Sequence, residues 1–207
     1  MTAMGDFKKL FSALAVVAVS VSCGDVVRQG SSPVFLVIDQ LTAKSGSSSG
    51  AVKENTLLSD VITMVTQPAP CSADSPCPTI FNDTGEVVLR TLQKDISAVS
   101  PSSNSEVTIN RYRVSYRRAD GHNTPGVDVP FGFDGAATGT SAGGKLTLTF
   151  EIVRHVAKME SPLVELASGR TIITTIADVS FYGRDQVGND VNVTGSIQID
   201  FGNFGDK

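Results

Sequence analysis

The stretch Val107–Arg118, VTINRYRVSYRR, decides the fold class because its side chains alternate in character along the chain. Such a period of two is typical of a β-strand with one buried face and one face in water. The alternation places Tyr112, Val114 and Tyr116 on one face, which we expect to be buried. The opposite face then holds Val107, Ile109, Arg111, Arg113, Ser115 and Arg117.

Further β-rich runs, separated by turn signals, predict strands on both sides of this stretch. The predicted strands, including the opening one, cover residues 33–43, 56–64, 85–96, 107–118, 127–139, 145–155, 171–182 and 191–201. The alternation favours antiparallel sheets, because a parallel sheet is buried on both faces and gives continuous apolar runs. The sequence therefore predicts an all-β, antiparallel β-sandwich of seven to eight strands.

One short helix is predicted at 162–168. Ser161 is its expected N-cap, Pro162 its first helical residue, and Gly169 the residue just past its end. Leu163 and Leu166 lie at helical spacing, so we expect both side chains to face the core.

The N-terminal residues have the layout of a secretory signal. Lys8 and Lys9 precede an apolar run, and Ser22 leads into Cys23. The run is about 12 residues long, too short for a membrane-spanning helix, which takes about 20. The segment resembles a bacterial lipobox, which implies a helical signal peptide at 1–22 and a lipid on Cys23. Cleavage by ordinary signal peptidase without lipidation stays open, because Ser20 and Ser22 also fit its small-x-small pattern.

This signal sets the expected organisation and location of the chain. Residues 23–32 form a short lipidated tether, and 33–207 form one β-sandwich domain. The resemblance implies a bacterial cell-envelope protein attached to the membrane through its N-terminal lipid. Gly24 after the cysteine permits sorting to the outer membrane, facing either the periplasm or the outside. Without the lipid, the protein would be secreted.

Charge and cysteine content restrict the remaining possibilities. The formal net charge of -4 argues against nucleic acid as a partner. Three cysteines are present, and lipidation of Cys23 leaves Cys71 and Cys77 as an even pair. In an oxidising compartment, two cysteines that close a short loop favour a disulfide bond. No pattern indicates a cofactor.

The segment 179–189, VSFYGRDQVGN, followed by an alternating strand, resembles the closing hairpin of bacterial immunoglobulin-like domains. That resemblance covers roughly 30 residues and rests on turn residues that any tight hairpin prefers. It implies an immunoglobulin-like sandwich and a structural or adhesive module without catalysis. It assigns no binding residues.

A catalytic site is disfavoured by context. Gly139-Thr-Ser141-Ala-Gly143 matches the G-x-S-x-G pattern of a hydrolase nucleophile, with His122 and His155 as the available bases. That pattern needs a helix after the serine, whereas a β-run follows here. The sequence therefore predicts no enzyme.

A calcium site has weak candidates. Asp185, Asn189 and Asp190 offer oxygen ligands on one turn, and Asp128 and Asp134 are further candidates. Calcium takes six to eight oxygens, so the simpler interpretation is a turn held by Asp and Asn side-chain hydrogen bonds, with no metal.

Arg111, Arg113 and Arg117 form a basic strip on one strand. The strip could bind an acidic partner or lipid headgroups, or it could simply pair with carboxylates on neighbouring strands, which the acidic net charge favours. We expect a structural or adhesive protein-binding module. The alternative is a β-sandwich that binds a small ligand, glycan or calcium through its 119–135 and 183–190 loops.

Overall fold

The computed structural model describes residues 30–47, 53–95, 97, 103–141 and 144–204. The predicted signal peptide and Cys23 lie outside the described residues. Within them, no helix is long and apolar enough to cross a membrane.

The chain folds as the predicted all-β sandwich. Seven described strands have five or more residues, and four more have three residues each. The strands are β1 (Val34–Lys44), β2 (Thr56–Asp60), β3 (Thr63–Val65), β4 (Cys77–Thr79), β5 (Asp83–Gln93), β6 (Val107–Arg117), β7 (Phe133–Gly135), β8 (Gly139–Ser141), β9 (Lys145–Val153), β10 (Ile173–Asp185) and β11 (Asp190–Gly202). The helical segments bounded on both sides within the described residues are two 3-10 helices, Ser103–Ser105 and Leu163–Ser168, and one α-turn, α1 (His155–Lys158).

Two main sheets face each other across the core. One has the order β1-β5-β9, and the other has the order β2-β11-β10-β6-β7, with β8 also pairing with β6. The long strands of these sheets match the A-B-E and G-F-C strands of an immunoglobulin-like sandwich. β10 and β11 form the antiparallel hairpin that the sequence predicts at its C-terminal end.

One strand departs from the antiparallel expectation. β2 pairs in parallel with β11, from Thr56 opposite Gln198 to Asp60 opposite Gly202. The predicted strand at 56–64 is also divided, because the chain leaves the sheet after Asp60 and re-forms as β3, paired with β4. β2 is the edge strand of its sheet, and an edge strand with one face in water can alternate whichever way it runs, so the rule that holds for fully parallel sheets does not apply to it.

A β-bulge in β6 corrects the predicted assignment of faces. Ile109 lies opposite Gly183 and Arg111 lies opposite Tyr182, so Asn110 is an extra residue in the ladder. An extra residue moves every side chain beyond it to the other face of the sheet. Val107 and Ile109 are therefore buried, like Tyr112, rather than lying beside the arginines.

Aromatic side chains fill the centre of the sandwich. The ring of Phe150 packs against those of Tyr112 and Phe181, at centroid distances of 5.0 and 5.2 Å. The hydroxyl of Tyr116 donates a 2.6 Å hydrogen bond to the carbonyl of Ile152, which joins β6 to β9 across the two sheets. The sequence contains no tryptophan, so these rings supply the large apolar volume of the core.

The predicted helix near 162–168 is a 3-10 helix that begins at Leu163. Leu163 and Leu166 are buried as expected, because side chains three residues apart lie on the same side of a 3-10 helix. Ser161 does not cap it: the helix has no side-chain cap, and the Ser161 hydroxyl donates to the Glu165 carboxylate instead.

Cys71 and Cys77 form the predicted disulfide, with Cα atoms 5.4 Å apart. The bond fixes the loop that leads into β4.

A buried ion pair, which the sequence analysis does not predict, lies at the end of the sandwich where β5 begins. The Lys158 ammonium lies 2.9 Å from Asp83 Oδ2, and the exposed fractions of these residues are 1% and 0%. Asp83 also accepts hydrogen bonds from the Ser59 hydroxyl and the Gly46 backbone N–H. Burial raises the pKa of Asp83, and the Lys158 charge opposes that rise. The pair ties α1 to the start of β5.

Candidate protein-binding surface

The outer surface of β6, β10 and β11 carries the predicted basic strip, and we call it the arginine face. Strand register arranges its outward side chains in rows that cross the three strands. The rows are Arg117–Ile176–Gln198, Ser115–Asp178–Ser196, Arg113–Ser180–Thr194, Arg111–Tyr182–Asn192 and Thr108–Arg184–Asp190. Alternation turns these side chains away from the core, so the face is polar and open to solvent.

Arg117 and Arg113 are paired with carboxylates, as the sequence analysis favours. Arg117 donates to both oxygens of Asp178, with the shorter contact at 2.7 Å. Burial on its own would raise the pKa of Asp178, but hydrogen bonds from Arg117 and Ser196 outweigh it and lower that pKa. Arg113 lies 3.7 Å from Asp134, its register partner on β7.

Arg111 has a different environment. Its guanidinium lies over the ring of Tyr182, 4.2 Å from the ring centroid, which is a cation–π contact. The next arginine of the face, Arg184, is paired with Asp190 at 2.7 Å. Among the residues that the structure describes, Arg111 is the arginine of this face that makes no ion pair. No described carboxylate therefore lies within ion-pair distance of its guanidinium.

The bulge opens a cleft of about 260 Å³ beside Arg111. Its walls include Asn110, Tyr182, Arg184, Asn192 and one carboxylate, that of Asp190, which is paired with Arg184. Gly183 forms part of the wall where the bulged strand comes close: a Cβ atom there would lie 2.4 Å from the Thr108 carbonyl oxygen. A larger residue at this position would push β10 and β6 apart, so the cleft depends on glycine.

The turn between β10 and β11 is held by Asp185, as the simpler interpretation of the sequence has it. Asp185 Oδ1 accepts the backbone N–H groups of Val187 and Asn189, and Oδ2 accepts the Asn189 side chain. Burial pushes the pKa of Asp185 upward, but the hydrogen bonds from Asn189, Ser32 and Val187 leave it below its ordinary value. Both oxygens of the Asp185 carboxylate, a calcium candidate in the sequence, therefore accept hydrogen bonds from N–H groups of the turn.

The other calcium candidates are also engaged with protein groups. Asp190 pairs with Arg184, and Asp128 accepts the Thr124 backbone N–H at 3.0 Å. Hydrogen bonds from Thr124 lower the pKa of Asp128. Within the described ranges, no group of three or more His, Cys, Asp or Glu side chains is placed to hold a metal ion.

The 119–135 and 183–190 loops do not meet at one end of the sandwich. The first leaves β6 after Arg117, which lies opposite Ile176, whereas Asp185 lies opposite Val107 at the other end of that strand. Eleven residues of strand separate the two ends, a length of about 35 Å. A single site built from both loops, as the alternative function requires, is therefore not formed.

The groups of the hydrolase-like pattern are engaged in local contacts. Ser141 is 1% exposed, and its hydroxyl donates to the Gly144 carbonyl at 2.9 Å. β9 follows it directly, without the helix that a nucleophile turn needs. The ring of His155 contacts Asn82, and that of His122 lies 3.6 Å from Asp120.

The predicted basic strip contains the arginines of this face but not the cleft beside Arg111. The signal was present: apolar residues fall at 107 and 109, then at 112, 114 and 116, so the alternation changes parity near Asn110. A change of parity inside one strand indicates a bulge.

Comparison with known proteins does not extend the assignment beyond the fold. No known family matches this sequence, and no curated protein matches it.

Proposed function

We propose that this protein is a non-enzymatic lipoprotein of the bacterial cell envelope, acting as a structural or adhesive module that binds another protein. The arginine face is the proposed contact surface. The observation that supports it best is Arg111, which is held over Tyr182 and is not neutralised by a described carboxylate. Arginine and tyrosine are the side chains that most often dominate the energy of protein interfaces.

The rest of the arginine face suits such a role. Short polar side chains surround Arg111 and Tyr182, among them Ser180 and Thr194, whose hydroxyls are 2.7 Å apart. Hydroxyls that satisfy each other cost little to cover with a partner, because no polar group is left without a hydrogen bond. The paired arginines form a polar rim around Arg111, which is the usual arrangement of a transient interface.

The point where the chain enters the domain agrees with attachment at the N-terminus. The Ser32 side chain is hydrogen-bonded to Asp185, so the described chain reaches the sandwich at the β10–β11 turn. Ser32 is buried, so the last residue of the predicted tether packs on the domain. Residues 23–32, fully extended, span at most about 35 Å. A lipid on Cys23 would then hold the β10–β11 turn end of the arginine face within that distance of a membrane.

Site-specific photo-crosslinking in intact cells tests the proposed surface. Benzoylphenylalanine replaces Thr194 on the arginine face in one variant and Thr147 on the outer side of the β1-β5-β9 sheet in the control. Both threonines are exposed residues of long strands, so the two probes are matched in surroundings. We expect a discrete protein adduct from position 194 and none from position 147. Equal adducts from both positions, or none from either, would contradict the proposal.

Mass spectrometry tests the anchor separately. The membrane-extracted protein should begin at a Cys23 that carries diacylglycerol with or without a further acyl chain, and the Cys23→Ser variant should lose membrane attachment. An unmodified N-terminus would leave the binding surface in place but refute the lipid anchor.

A further inference from the structure

We infer that the cleft beside Asn110 is a binding site for a carboxylate, and that Arg111 in it binds an acidic side chain of the partner protein. This inference rests on the proposed function and names the chemistry that the arginine face recognises.

The charge balance of the arginine face points to an anion at this place. Arg113, Arg117 and Arg184 are matched by Asp134, Asp178 and Asp190, respectively. Arg111 supplies the remaining positive charge of the described rows. On a chain with a formal net charge of -4, an unmatched arginine is a local attraction for a negative group.

Tyr182 prepares Arg111 for such a group. The contact with the ring holds the guanidinium through its charge, so its N–H groups remain able to donate to an oxygen. Those N–H groups match the two oxygens of a carboxylate, and a guanidinium that is already positioned loses less side-chain entropy on binding. The N–H donors of the Arg111 guanidinium are therefore available at the edge of the cleft.

The cleft itself supplies further donors and sets the size of the ligand. Asn110 and Asn192 line it, and each carries an amide group that can donate to an oxygen. Its volume of about 260 Å³ lies below the range of 300–1,000 Å³ that is typical of small-molecule and cofactor sites. A single aspartate or glutamate side chain, inserted from a partner surface, fits the donors and the volume better than a cofactor does.

A membrane surface fits the charge pattern less well. Segments that bind anionic lipids carry clusters of four to eight basic residues. Here Asp178 and Asp190 on the arginine face, with Asp134 on the adjacent β7, neutralise all its described arginines except Arg111. The arrangement favours one acidic contact within a protein interface over the extended negative surface of a bilayer.

The test uses the full chain in detergent, labelled with ¹⁵N, and a decapeptide of alternating glycine and glutamate as the probe. At low salt, we expect saturable shifts of the Asn110, Tyr182 and Asn192 amide signals. Arg111→Gln should weaken binding about tenfold. The matched control, Arg90→Gln on β5 of the opposite sheet, should change it less than twofold, because Arg90 lies outside the arginine face and is paired with Asp39.

Two further measurements distinguish a protein carboxylate from a lipid headgroup as the ligand. A glycine–glutamine decapeptide should not bind. In the detergent-free lipid arm, the Cys23→Ser chain should bind vesicles of anionic lipid equally with and without Arg111→Gln. No binding of the acidic peptide, equal losses in both arginine variants, or vesicle binding that depends on Arg111 would each overturn the inference. A position-194 adduct that persists in the Arg111→Gln background would overturn the carboxylate site while leaving the proposed function intact. If position 194 gives no adduct even when Arg111 is present, the proposed function itself is contradicted.

Discussion

Replacing Lys158 with methionine should destabilise the protein by about 3–5 kcal/mol at pH 7. Methionine keeps most of the buried apolar stem but removes the charge that lies 2.9 and 3.0 Å from the two Asp83 oxygens. It also leaves the Asp60 carbonyl without the ammonium donor 2.8 Å away. The carboxylate of Asp83 would then be buried without a counter-charge, and that uncompensated charge accounts for most of the loss.

The pH dependence of the loss follows from Asp83. Burial raises the pKa of this carboxyl, so the folded protein retains the proton at a pH where the unfolded chain, with a pKa near 4, releases it. Such a group favours folding below the unfolded pKa, and this contribution is lost as the pH rises through the folded pKa. Without Lys158 the rise in pKa should be larger. The deficit of the Lys158→Met variant should therefore shrink from pH 7 to pH 4.

Urea unfolding followed by circular dichroism measures these free energies. The double variant Lys158→Met, Asp83→Asn is the control, because an asparagine carries no charge, its oxygen can accept the Gly46 N–H, and its amide NH2 can donate to the Ser59 hydroxyl. It should recover at least half of the lost stability. A single variant within 1 kcal/mol of wild type, or a double variant no more stable than the single one, would refute the role assigned to the pair.

Three further perturbations test other parts of the fold. Tyr116→Phe removes the hydroxyl bonded to the buried Ile152 carbonyl, so unfolding in urea should show a loss of about 1–2 kcal/mol, and an unchanged midpoint would contradict the inter-sheet bond. Replacing Cys71 and Cys77 together with serine opens a short loop and should lower the free energy of unfolding by about 2 kcal/mol, because the unfolded chain gains entropy. The same variant should be about as stable as the wild type whose disulfide has been reduced. Asp185→Asn should remove an acid-sensitive part of the stability. The lowered folded pKa of this carboxyl stabilises the fold above the unfolded pKa near 4, and that contribution is lost as the pH falls through the folded pKa. If the free energy of unfolding of wild type and of Asp185→Asn changes with pH in the same way, Asp185 makes no such contribution.

The strands were predictable because buried and exposed side chains alternate along each of them with a period of two. β9 is the clearest case: Leu148, Phe150 and Ile152 fall on one face in the sequence and are buried together in the structure. What the pattern lacks is any signal of long-range pairing. Lysine is usually a surface residue, and Asp83 lies 75 residues from Lys158 along the sequence, so the buried pair could not be predicted.

The candidate surface was predictable in part, for the same reason. Sequence placed Arg111, Arg113 and Arg117 on one strand, but only strand register shows that Asp134 and Asp178 neutralise two of them. The difference between a neutralised arginine and an available one is a property of neighbouring strands. It cannot be obtained from the spacing of residues within β6.

The parallel pairing of β2 with β11 has a mechanical consequence. The described chain enters beside the β10–β11 turn and leaves at the opposite end, where the Phe204 backbone N–H is bonded to Asp60. Tension between these two points would run along β11, and its ladders with β2 and β10 would be loaded in shear. Hydrogen bonds under shear must break together, whereas an unzipped hairpin loses them singly. A domain held at one end and pulled at the other would therefore resist extension better than its modest size suggests.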